Sequence, residues 1–194
     1  MRRGLRFGLA LLVAGWIPVF AGDSGRGRSR TETSPVFWLS DFSQVRHATA
    51  EMNRHKMGIF WLMKTRELTP GDAITVWFCG WNDPTECVNG PGTCGSDPAD
   101  LEDTVPGSFC WWGNGGIVSN QGEVVIGGVA RVNQPPGEKL FGELTRPRKA
   151  EINLVVKTHG APIPDQLLEQ ITTFDGGCAV NQCEELQIAV FTAH

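Results

Sequence analysis

The chain has 194 residues and a formal net charge of −4, with six cysteines, four histidines, seven tryptophans and no tyrosine. That length supports one domain with a core of its own. An acidic balance without a Lys/Arg cluster argues against nucleic acid or an anionic membrane as partner, because phosphate recognition needs concentrated positive charge.

The first element in chain order is an export signal over residues 1–21. Arg2, Arg3 and Arg6 form a cationic start and Phe7 to Phe20 an apolar core, and Val19 and Ala21 are small enough for the cleavage positions. The core is interrupted by Gly15 and Pro18 and is shorter than the run of about 20 apolar residues that a membrane span needs. An uncleaved N-terminal anchor is the alternative. No later segment is apolar for long enough to cross a bilayer, so the expected location is secreted, periplasmic or extracellular. Residues 22–35 are polar and rich in Gly, Ser and Arg, which predicts a disordered leader. The remaining span, 36–194, is expected to be one domain.

Within it, runs rich in β-branched and aromatic residues recur at Met57–Arg66, Ala73–Trp81, Gly107–Gly113, Glu123–Arg131, Ile152–His159 and Glu185–Ala193, each ended by turn residues. Leu68-Thr69-Pro70-Gly71 reads as a type II turn, where Pro presets φ and Gly accepts φ > 0. Asn120-Gln121-Gly122 reads as another tight turn. Helix is suggested only over Ala48–His55 and over Asp165–Ile171, the latter with Asp165 as cap. Short strands and scarce helix predict an all-β, antiparallel β-sandwich. The 73–81 run is apolar on both faces, as a central strand is. In the 152–159 run, Ile152, Leu154, Val156 and Thr158 share one face and Asn153, Val155, Lys157 and His159 the other.

An even cysteine count behind an export signal favours disulfides. The economical pairing joins Cys87 to Cys94, Cys178 to Cys183 and Cys79 to Cys110, although six cysteines allow other connectivities. On the chain-entropy argument these loops contribute roughly 2.5, 2 and 3.5–4 kcal/mol. No CxxC, HxH, HExxH or GxSxG occurs, which leaves zinc-finger, zincin and serine-hydrolase chemistry without a signature.

Three groups of residues carry what functional signal there is. His159 ends a strand before Gly160-Ala161-Pro162, and His194 ends the chain. If the two strand ends adjoin, they form a copper or zinc site together with a carboxylate. The competing reading is that His159 bonds a loop carbonyl. Asp97, Asp100, Glu102 and Asp103 follow the Cys87–Cys94 loop closely, an oxygen-rich segment suited to Ca²⁺ although its spacing is not that of an EF-hand. Trp111 and Trp112, being consecutive, point to opposite faces of a strand. An exposed one beside Asn82 or Asn114 suits stacking on a sugar or a partner protein, against the alternative that the tryptophans fill the core.

The order of motifs resembles a family of uncharacterised secreted bacterial proteins. Leu68-Thr69-Pro70-Gly71 and Thr75-Val76-Trp77 are followed by Asn82-Asp83-Pro84 with Cys87, and then by Cys94-Gly95. Glu151-Ile152, Leu154-Val155-Val156, Thr158-His159-Gly160, Glu169-Gln170-Ile171, Phe174, Gly176-Gly177-Cys178, Cys183 and Gln187 complete the pattern. The resemblance spans most of residues 46–194 and implies secretion and fold, with no activity to transfer. Cys79 and Cys110 depart from the pattern, which would have ordinary strand residues there. More distantly, the chain resembles chordin-type repeat domains and the immunoglobulin-like sandwich of copper/zinc superoxide dismutase, without the His-x-His ligand pair. The reading is a secreted, disulfide-stabilised binding or envelope-associated module without catalysis, its partner a glycan or protein. A small Cu/Zn- or Ca-binding protein or metalloenzyme using His159 is the second reading.

Overall fold

A computed structural model of the chain describes residues 30–100 and 105–193. Among these described residues nine strands are present: β1 Arg30–Trp38, β2 Gln44–His55, β3 Gly58–Thr65, β4 Ala73–Trp81, β5 Ser108–Ile117, β6 Val124–Arg131, β7 Lys139–Phe141, β8 Glu151–Thr158 and β9 Glu184–Phe191. One helix, α1 Leu167–Thr172, lies between β8 and β9. The strands form a single antiparallel sheet in the order β6-β3-β2-β1-β9-β8-β4-β5-β7. The sheet curls into a half-barrel, so its two halves face one another across a core as the layers of a sandwich do. The fold is therefore all-β and antiparallel, as the sequence predicts. No described helix is long and apolar enough to cross a membrane.

Six strands fall where β-branched and aromatic runs predict them, and β4 is central, its residues almost all buried. The Pro70-Gly71 turn is present: Asp72 N–H donates to the Thr69 carbonyl at 3.2 Å, and Gly71 takes φ +87°. Two expectations are corrected. Residues 48–55 are not helical; they belong to β2, where Val45, Ala48, Ala50, Met52 and Arg54 turn inward and their neighbours outward. Ala and Met carry helix propensity, but their period here is two, and pairing with β1 and β3 decides the outcome.

The second correction concerns the polar leader. Its residues 30–35 are not disordered but form the first two-thirds of β1, with Arg30↔Arg54 through Pro35↔Thr49 in register. Polar cross-strand contacts support this pairing: Asn53 Nδ2 donates to Thr31 Oγ1 at 2.8 Å, and Arg54 Nε donates to both Glu32 carboxylate oxygens at 3.1 Å. The export signal and residues 22–29 lie outside the described residues.

The main core lies on the concave side of the sheet. Met52, Ile59, Trp61 and Met63 from one half meet Ile74, Val76, Phe78, Phe109, Trp111, Ile152 and Leu154 from the other. Burying each such side chain contributes about 1.5–3 kcal/mol. A smaller cluster of Trp81, Cys87, Cys94 and Val105 sits under the loop between β4 and β5. The disulfides are Cys79–Cys110, Cys87–Cys94 and Cys178–Cys183, which are the three pairs that sequence proximity selects, and no described cysteine is free.

Candidate functional site

The residues nominated from sequence are not gathered at one surface. Trp111 points into the core and is fully buried, its indole N–H donating to the Gly142 carbonyl at 3.0 Å. Trp112 points the other way, as expected for a strand, but it is half-buried and its indole donates to the Ile171 carbonyl of α1 at 2.9 Å. Asn82 clamps loops: its Nδ2 donates to the Gly107 and Glu143 carbonyls and its Oδ1 accepts from Thr145 and Arg146 N–H. Asn114 Nδ2 bonds the Gly127 carbonyl, and its Oδ1 accepts from Gly115 N–H. All the polar atoms of both asparagines are thus engaged with backbone.

Within the acidic segment, Asp100 acts as a structural pin. Asp100 is fully buried and its two oxygens accept from Val88 N–H at 2.8 Å and Gly95 N–H at 3.2 Å. Asp97 accepts from Ala99 N–H within its own turn. Asp103 and His194 lie outside the described residues. Glu151 supplements the pin, accepting from Gly92 N–H at 2.6 Å and Cys94 N–H at 2.9 Å. Together the two buried carboxylates hold the Cys87–Cys94 loop against β8.

Burial pushes the Glu151 carboxyl above its ordinary value, and the nearby Asp100 charge adds to this, opposed by the two N–H donors and by Arg54. The folded protein therefore keeps this proton to higher pH than the unfolded chain does. The contribution of Glu151 to stability is largest at acid pH and declines as pH rises from 4.5 through the raised folded value. Urea midpoints measured from pH 4 to 8 should show this decline in the wild type relative to Glu151→Gln. Parallel pH profiles for the two proteins would contradict it.

His159 is fully buried and both ring nitrogens are engaged. Nδ1 lies 2.8 Å from the Gly176 carbonyl, which can only accept, so Nδ1 carries the proton. Nε2 then accepts from the Thr75 hydroxyl at 2.8 Å, and Thr75 Oγ1 accepts in turn from Trp77 Nε1–H at 2.9 Å. Every direction in this chain fits one neutral tautomer. Burial holds the imidazole below its usual range, consistent with that neutral form. Gln170, also fully buried, donates to the His159 and Ala161 carbonyls, and Asn181 Nδ2 donates to the same two at 2.7 Å. Thr75 and Trp77 of β4, His159 after β8, and Gln170, Gly176, Cys178 and Cys183 from the segment between β8 and β9 meet here. In this disulfide form the imidazole has no free lone pair for a metal.

Beside this hub, the outer face of the sheet holds a groove of about 530 Å³. Its floor follows two cross-strand rows of side chains. In one row Asn153, Cys79 and Cys110 are successive partners, and in the next Ile188, Val155 and Trp77 are. Trp81 and Gly95, held by the pinned loop, close one end, and Phe174 lies at the other. Phe174 is fixed edge-on to Trp77, with ring centroids 5.0 Å apart, and its N–H donates to Glu138 at 2.7 Å. Lys157 Nζ lies 3.3 Å from the centre of the Phe174 ring. The lysine is buried, which holds its ammonium below the usual range, although Glu185, Asp175 and Glu138 counter this.

One residue that lines this groove has a side-chain atom without a partner. Asn153 is 6% exposed; its Nδ2 donates to the Cys94 carbonyl at 3.3 Å, while its Oδ1 accepts nothing. A buried carbonyl oxygen without a donor costs about 1–3 kcal/mol. The groove combines apolar walls, one unsatisfied acceptor and a volume within the range of small-molecule sites.

Neither the Asn153 acceptor nor the groove is legible in the sequence. The signal was present only as the alternation of Asn153, Val155 and Lys157 on one face of β8. Comparison of the chain with protein-family models, curated proteins and solved structures gave no match, so function has to be argued from the site itself.

Proposed function

We propose that this protein is an exported binding protein that takes a small, largely apolar ligand carrying one hydroxyl or amide N–H, seated in the groove over Cys79–Cys110. The observation that carries this reading is Asn153 Oδ1, a buried acceptor without a donor on a residue of the largely apolar groove lining. Trp77, Val155 and Ile188 supply the apolar contact, and Asn153 selects the orientation. Three disulfides support placement in an oxidising compartment.

Displacement of Nile red from the purified protein tests the proposal, with a medium-chain alcohol and its methyl ether as competitors. The alcohol should compete about three- to tenfold better, the value of one net hydrogen bond. Asn153→Leu should remove the difference between the two, and Val155→Trp, which fills the floor, should abolish binding of both. Equal competition by alcohol and ether in the wild type, or binding undiminished in Val155→Trp, would sink the proposal.

A further inference from the structure

The Cys178–Cys183 disulfide and His159 form a second candidate site, independent of the groove. His159 Nδ1 lies 3.9 Å from Cys178 Sγ and 3.7 Å from Cys183 Sγ, and one ligand atom from each residue falls within 4.8 Å of the others. Metal–sulfur and metal–nitrogen lengths of about 2.3 and 2.05 Å set the S···N edges of a tetrahedral zinc site at roughly 3.6 Å and its S···S edge at roughly 3.8 Å. Both S···N edges are therefore already near their final length. The sulfur–sulfur separation has to open, and Nδ1 has to give up its bond to the Gly176 carbonyl.

The geometry points to a metal site that is masked by this disulfide and opened by its reduction: Cys178, Cys183 and His159 bind a zinc-class divalent cation once a dithiol has reduced the bond. The dithiol gives two electrons and two protons, the S–S bond breaks to two thiols, and the dithiol becomes its own disulfide. Metal binding then releases two protons from the thiols as two metal–sulfur bonds form. The imidazole stays neutral overall, because the Nδ1 proton is lost as Nε2 gains one. Nε2–H then donates to Thr75 Oγ1, which already lies 2.8 Å away and would orient the ligand ring as metal-bound histidines are commonly oriented.

Two features of the fold suit this role. Cys178 and Cys183 are both half-buried, whereas Cys87 and Cys94 are both buried and Cys79 is paired with a buried Cys110, so only this disulfide has both of its cysteines half-buried. The loop also does not depend on the disulfide for its position. Asn181, between the two cysteines, donates to the His159 and Ala161 carbonyls, and Cys178, Val180 and Asn181 N–H groups bond Asp175 and Gly177 carbonyls. Opening the bond leaves both sulfurs beside the imidazole.

Cobalt(II) is the probe, added to full-length protein as oxidised and after reduction and anaerobic removal of reductant. The reduced protein should bind one Co²⁺ with thiolate charge-transfer absorption and tetrahedral visible bands, lost on adding Zn²⁺. The oxidised protein should give neither. Cys178→Ser/Cys183→Ser should abolish the bands, and Cys87→Ser/Cys94→Ser should retain them. The proposal is overturned by reduced wild type without bands, by bands that persist in Cys178→Ser/Cys183→Ser, or by loss of the folded near-UV spectrum on reduction. A folded His159→Gln with an unchanged cobalt spectrum would overturn it equally. Groove binding of Nile red is read separately, so either reading can fail alone.

Discussion

Replacing Arg54 by alanine is expected to lower the free energy of unfolding by about 3–5 kcal/mol, the range seen when one partner of a buried charge network is removed. Arg54 is 2% exposed. Its Nε donates to Glu32, Nη1 to the Pro147 and Ala150 carbonyls at 3.0 and 2.6 Å, and Nη2 to the Phe191 carbonyl at 3.4 Å. One guanidinium thus joins β1, β2, the segment entering β8 and the end of β9. Alanine takes the guanidinium from a carboxylate with little access to water and a donor from three carbonyls. Arg54→Lys should recover only part of the loss, since a single ammonium cannot span the fork. Urea denaturation decides the matter, and a loss under about 1 kcal/mol for Arg54→Ala would refute the network's importance.

Thr75→Val should cost about 2–5 kcal/mol despite nearly equal volume. The hydroxyl accepts from Trp77 and donates to His159, so valine leaves an indole N–H and an imidazole nitrogen buried without partners, each at about 1–3 kcal/mol. Thr75→Ser keeps the hydroxyl and should recover most of that. In a double-mutant cycle with Trp77→Phe, the second substitution should cost less in the valine background than in the wild type, because the indole bond is already gone. Equal stability of the valine and serine variants would show that the chain of hydrogen bonds contributes nothing.

What sequence could reveal followed how local each signal was. Strands such as Ala73–Trp81 and Glu151–Thr158 announce themselves because their own residues are β-branched or aromatic. Strand β1 is polar at Arg30–Ser34 and is fixed by what pairs with it, and β2 presents Ala48, Ala50 and Met52, which local propensity assigns to helix. Strand β7, with three residues, is too short to show a period. The three disulfides were legible from spacing, whereas the carboxylate pin was not, because Asp100 and Glu151 look like solvated acids until the loop folds over them.

His159 was legible as a strand end followed by Gly160. Its partner Thr75 is 84 positions away and carries no mark in the sequence. The groove was least legible, since each of its residues is ordinary and only cross-strand registry sets Asn153, Cys79 and Cys110 in line.

The curl of the sheet bears on how this chain behaves among copies of itself. β6 and β7 are the terminal strands of the ladder. The trace of β5 returns beside β6, where Asn114 reaches the Gly127 carbonyl, and the Trp61 indole packs at Gly113 and Gly128, positions where a Cβ would collide with it. One rim of the ladder is thereby plugged by an indole and an amide, and the other is three residues long. Backbone donors and acceptors on an open rim are templates for cross-molecular strand addition, and natural β-proteins guard them by covering or shortening. A side chain at Gly113 or Gly128 would press on the Trp61 indole and on a backbone carbonyl, and is expected to loosen the cover over the β6 rim and raise self-association.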